Sequence, residues 1–209
     1  MNTLQRQIQA SLLVILSSLT LAAGATEAQQ ITSVRQIDFK NFTYAWTKPA
    51  SDVPGTWRWL SSTPSLSFRA VHGLHHFYGP GQDPDERARA PLISVDSVEY
   101  GDLDGDGVEE ALVALNYSNG GTANWDYLYV YKFRDGQATL LARLETGSRA
   151  FGGLLKYFAH DGALTMEFAD AEKREGDCCS RGYVRVHYRW GKGHFEEEGV
   201  REHGDLKVE

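Results

Sequence analysis

The chain has 209 residues, and 28 Asp and Glu against 21 Lys and Arg give it a formal net charge of −7. An acidic balance without a Lys/Arg cluster argues against nucleic acid or an anionic membrane surface as partner. The length suits one domain able to bury its own core.

Residues 1–25 read as an export signal rather than as part of the fold. Arg6 supplies a short basic start, LLVILSSLTLAA an apolar run, and Ala23-Gly24-Ala25 the small side chains a signal peptidase needs. The run is too short for a membrane span, which needs about 20 apolar residues. No cysteine follows it to carry a lipid. The expected destination is the periplasm or the extracellular space, with no transmembrane segment left after cleavage.

Residues 26–92 hold all six prolines, at positions 49, 54, 64, 80, 84 and 91. Proline removes a ladder donor and stays out of central strands, so this part should be a loop-rich segment packed on a sheet. Strands are expected over residues 35–44 and 67–78, followed by an exposed connector, GPGQDPDERARAP. His72, His75 and His76 crowd together in VHGLHHFYG. Adjacent strand residues point to opposite faces, so His75 and His76 should not share one metal. Trp57 and Trp59 would share a face of TWRWL, and a core or edge role explains them better than a sugar-stacking platform.

Residues 93–201 change to paired strands. Ala111, Val113, Leu115 and Tyr117 alternate on one face. Trp125, Tyr127, Tyr129, Tyr131 and Phe133 do the same, with Leu128 and Val130 opposite. A strand apolar on both sides belongs in the middle of a sheet. Leu164, Met166 and Phe168 alternate, as do Val184, Val186, Tyr188 and Trp190. Asp135-Gly136, Asp161-Gly162 and Gly191-Lys192-Gly193 offer the positive φ of hairpin turns. With the loop at 102–110 as a fourth turn, this makes about eight strands. The expected fold is all-β, an antiparallel meander forming a sandwich, a curled sheet or a partial barrel. DAEKRE at 170–175 could make one helical turn, and residues 202–209 would be a C-terminal tail.

Catalytic signatures are sparse. Ser148 in TGSRAFGG lacks the strand-to-helix GxSxG setting of a nucleophile elbow. Gly120-Gly121 and Gly152-Gly153, with Asn119, Thr122 and Arg149 nearby, suit wide turns, bulges or a close approach of backbone or ligand. The adjacent Cys178 and Cys179 have no other partner in the chain. They leave a strained vicinal disulfide, two thiols, or intermolecular bonds.

The strongest chemical signal is YGDLDGDGVEEALVAL. Asp102, Asp104 and Asp106 take the first, third and fifth places of a loop, Gly107 the sixth, Val108 the seventh and Glu110 the ninth. Converging carboxylates repel one another unless a cation lies among them. Calcium takes six to eight oxygens from carboxylates and carbonyls, and the Val108 carbonyl can contribute one. An EF-hand would need an acidic residue at the twelfth place, where Val113 stands. The segment instead resembles the calcium loop of FG-GAP and VCBS-type repeats, in which DxDxDGxx[DE] joins neighbouring strands. That resemblance implies Asp102, Asp104, Asp106 and Glu110 as side-chain ligands and Val108 as a carbonyl ligand. The chain has one copy where those families have several, so their propeller and adhesion role are not implied.

Across residues 93–198 the chain also resembles a group of exported bacterial proteins without an assigned activity, through GDLDGDGVEEALV, GGTANWDYLYVY and GDCCSRGYVRVHYRW. Together these features point to an exported calcium-binding β-protein, a non-enzymatic binding or envelope-associated module with a carbohydrate or protein partner. The alternative is a secreted hydrolase or carbohydrate-active protein, which would need a pocket near the glycine pairs with a strongly shifted carboxylate or histidine.

Overall fold

The computed structural model describes residues 31–46, 58–60, 66–121, 124–147, 152–175 and 179–207. The expected export signal lies outside them, as do Trp57, Thr122, Ser148, Arg149 and Cys178. In chain order the strands are β1 (Thr43–Trp46), β2 (Arg58–Trp59), β3 (Leu66–Arg69), β4 (Leu74–His76), β5 (Leu92–Gly101), β6 (Glu110–Ser118) and β7 (Asn124–Arg134). They continue with β8 (Gln137–Glu145), β9 (Leu154–His160), β10 (Ala163–Ala169), β11 (Arg174–Glu175), β12 (Cys179–Ser180), β13 (Gly182–Gly191) and β14 (His194–Asp205). Every ladder is antiparallel.

The fold is all-β. Four hairpins supply eight long strands, which divide between two sheets. One sheet has six strands in the order β2-β8-β7-β6-β5-β4 and curls toward a half-barrel; the other runs β14-β13-β10-β9. Three of the hairpin turns place both central residues at positive φ: Asp135 and Gly136, Asp161 and Gly162, and Lys192 and Gly193. That backbone matches the twist of the flanking strands. The fourth turn is the aspartate loop between β5 and β6.

The six-stranded sheet is buried on both faces, as the double apolar register of β7 requires. Tyr127, Tyr129 and Tyr131 face a layer made by the N-terminal segment, where Val34, Phe39, Tyr44, Trp46 and Phe68 are buried. Leu128 and Val130 face the four-stranded sheet, meeting Leu164, Met166, Phe168 and Val186. Trp59 belongs to this second core, its ring stacked 5.0 Å from Phe195 and edge-on to Tyr188. β14 is the outer edge of the smaller sheet, and nearly all its side chains are exposed.

The N-terminal segment departs from the expected strands. Over residues 35–44 the chain makes two 3-10 turns, Val34–Gln36 and Phe39–Asn41, and becomes extended only at Thr43. The Asp38 carboxylate accepts the Lys40 and Asn41 amides, a local bond that competes with a strand ladder. The run 67–78 breaks at His72 and Gly73, both at positive φ, so β3 and β4 join different partners. Within the connector, Pro84–Ala88 forms a short helix, with Asp83 accepting the Glu86 amide and Pro84 opening the first turn. Ala171–Lys173 makes the expected single turn, while β14 extends to Asp205, into the stretch expected as a tail.

Candidate metal centre

The loop after β5 is built by its own side chains. Asp102 accepts the Gly105 amide on Oδ1 at 2.7 Å and the Gly107 amide on Oδ2 at 2.9 Å, drawing the chain into a tight coil. Asp106 Oδ1 accepts the Val108 amide at 3.0 Å. Leu103 is buried in the core shared with the four-stranded sheet, and anchors the coil from below. Gly101 marks the entry: a Cβ there would stand 2.3 Å from that of Ala159 on β9. The result gathers one carboxylate oxygen each from Asp102, Asp104 and Asp106 within 4.8 Å of one another.

Glu110, the first residue of β6, stands outside that group of three and is wholly buried. Its Oε2 accepts the Leu103 amide at 2.8 Å, while Oε1 faces the Lys132 ammonium at 3.1 Å. Burial raises the Glu110 pKa above the ordinary glutamate value, against the bonds from Leu103 and Lys132. Val108, expected to offer its carbonyl, is half-exposed on the outer side of the coil.

A protein cation already stands among these groups. The Lys132 ammonium lies 2.6 Å from Asp104 Oδ2, 2.6 Å from Asp106 Oδ2 and 3.1 Å from Glu110 Oε1. Its side chain is only 5% exposed. Burial opposes its charge, yet the bonds it donates to the three acids outweigh that and raise its pKa above the usual lysine value. The hydrogen bond from Lys132, with that from the Val108 amide, lowers the Asp106 pKa. Sequence reasoning missed this lysine. Its signal was present: Lys132 follows Leu128 and Val130 on one face of β7, and it stands opposite Glu110 across the ladder. A cation at an inward-facing position needs a buried anion beside it.

Three carboxylates on one ammonium, with Asp102 beside Asp104 and Asp106, leave a formal excess of three negative charges. Hard oxygen donors in that number fit a divalent cation such as calcium. Lys132 also fits a second reading, in which it holds the carboxylates together by itself. Outside the coil, Glu109 forms a bidentate pair with Arg35 at 2.5 and 2.7 Å. The Arg35 guanidinium also covers the Tyr100 ring, tying the loop to the N-terminal layer.

A cleft of about 520 Å³ opens beside the loop, between Asp102 and Asp104 on one wall and His160, Asp161, Arg189 and Trp190 on the other. A smaller notch of about 160 Å³ lies at the start of β9 just after Gly153, between the two large sheets. It contains Asp126, whose pKa is pushed up to about 6 by burial and by the charge of Asp96, despite a hydrogen bond from Asn116.

The other sequence candidates separate. His75 packs between Phe68 and Phe77, His76 lies against Tyr78, and His72 sits in the turn between β3 and β4. Gly120 serves a close backbone approach: at φ +84° a Cβ would stand 1.9 Å from the Arg89 carbonyl oxygen. Cys179 is exposed in β12. Comparison with family models, curated proteins and solved structures found no match to this chain.

Proposed function

We propose that this chain is an exported calcium-binding β-protein acting as a non-enzymatic binding or envelope-associated module. The observation that carries the reading is the convergence of the Asp102, Asp104 and Asp106 carboxylates, with buried Glu110 linked to two of them through Lys132. These four side chains and the Val108 carbonyl would hold the ion, which would rigidify the first hairpin and the adjacent cleft wall. The leader-like residues 1–25 support export, where calcium is plentiful enough to fill weak sites. Lys132 competes for the same oxygens, so calcium affinity should be modest and should rise when that ammonium is removed.

The test is thermal unfolding of the mature chain in calcium, in magnesium and in chelator. Saturating calcium should raise Tm by about 5 °C over chelator, the shift that a hundredfold excess over Kd gives a domain of this size. Magnesium should do less, because it demands a more regular octahedral shell. Equal melting in calcium and chelator would overturn the calcium reading and leave Lys132 as the loop's cation.

A further inference from the structure

The notch between the two large sheets is independent of the aspartate loop, and its chemistry is unusually one-sided. It forms where β5 carries a bulge between Val95 and Ser97, so that Asp96 is an extra residue against β6. Bulges re-aim side chains in this way at the edges of sites. Asp96 and Ser97 line one wall, Asp126 the floor, and Leu154, Leu155 and Tyr157 the wall supplied by β9.

Each polar group in the notch is oriented by a neighbour. Asn116 Nδ2 donates to Asp126 Oδ1 at 2.7 Å, and Ser94 Oγ donates to Asp96 Oδ1 at 2.6 Å. The Ser97 and Tyr157 hydroxyls are hydrogen-bonded to each other at 2.8 Å. Among the described residues, no Lys, Arg or His lines the space. The nearest basic residue on β9, Lys156, has its ammonium over the Phe158 ring at 5.4 Å. The charges of Asp96 and Glu99 both raise the Tyr157 pKa, beside the larger effect of burial. The notch therefore concentrates negative potential between aliphatic walls, and such a cavity selects a cation with an apolar tail.

We infer that this notch binds a small alkylammonium group, with the ammonium between Asp126 and Asp96 and the alkyl chain against Leu154 and Leu155. Its volume of about 160 Å³ admits a short chain, such as an aliphatic amine or a lysine-like side-chain tip, and excludes a larger ring system.

The experiment is an amide-shift NMR titration of the mature chain in chelator with n-butylammonium chloride, using n-butanol and sodium butyrate as neutral and anionic controls. Saturable shifts at residues 96, 97, 126 and 154–157 with butylammonium alone are expected. Asp126→Asn should weaken the apparent affinity about tenfold, the worth of one charge-assisted hydrogen bond. This variant removes a partly buried charge and should keep the fold, which its own spectrum checks. Asp96→Asn, from an exposed position, gives a second reading of the same loss. Equal binding of butanol, shifts confined to residues 102–110, undiminished affinity in both variants, or no saturable shift would each overturn the proposal. None of these outcomes bears on the calcium reading, which the melting experiment decides separately.

Discussion

Lys132 decides the electrostatics of the first hairpin. Its ammonium meets three acids while nearly buried, and Glu110 behind it is shielded from water altogether. Removing one partner of a buried pair leaves an uncompensated charge and costs about 3 kcal/mol or more. Lys132→Met should therefore lower stability in chelator by about that amount, read from urea midpoints. Calcium should restore much of the loss if the ion takes the same oxygens. Asp126 gives a second prediction at this scale. Its carboxyl titrates near pH 6 in the fold, against about 3.9 for an unfolded aspartate. Between those values the folded chain holds the extra proton, so this residue's contribution falls as pH rises from 4 to 6 and is flat above. Screening at its partly exposed position limits the change to about 1 to 2 kcal/mol. Comparing urea midpoints of wild type and Asp126→Asn across pH 4 to 8 should show that slope in the wild type alone.

The hairpins were the legible elements. Asp-Gly and Lys-Gly pairs announce positive φ, and period-two runs announce their faces, so the eight long strands follow from local chemistry. The N-terminal segment was less legible, because Asp38 and the His72-Gly73 turn redirect the chain through bonds that periodicity does not register. Of the candidate metal centre, the converging aspartates could be read from spacing. Lys132 needed a different signal, its place on the inward face of β7, since it lies over twenty residues away and reaches the loop through β-ladder register. Gly120 illustrates the same boundary: its glycine pair suggested a turn or a close approach, and the tertiary fold selects the approach of Arg89. Gly120→Ala should cost about 2 kcal/mol or more, from positive φ and the carbonyl clash together, visible as a lower Tm. The same exchange at Gly136, also at positive φ but in open space, should cost about 1 kcal/mol.

At the scale of the molecule, one sheet serves two cores. The N-terminal layer covers the tyrosine face of β7 and is fastened there by the Tyr129 hydroxyl, which donates to the Ala45 carbonyl at 2.6 Å. Tyr44 closes the same layer through its bond to the Phe39 carbonyl. Tyr129→Phe should remove about 1 kcal/mol of stability while retaining the ring contacts. Amide exchange should then quicken first in β1 and β3, because those strands pair with each other rather than with the large sheet. Uniform acceleration across β7 and β8 instead would show that the layer and the sheet open as one unit.

The long outer border formed by β14 carries a consequence for handling this protein. Glu196, Glu197, Glu198 and Glu202 line its unpaired side, held by Lys192, Arg201, Arg189 and Arg185 respectively. Charged side chains along an outer strand keep neighbouring molecules from zipping strand to strand. Strong acid protonates these carboxylates together and frees their basic partners, so the border passes from a row of ion pairs to a purely cationic edge.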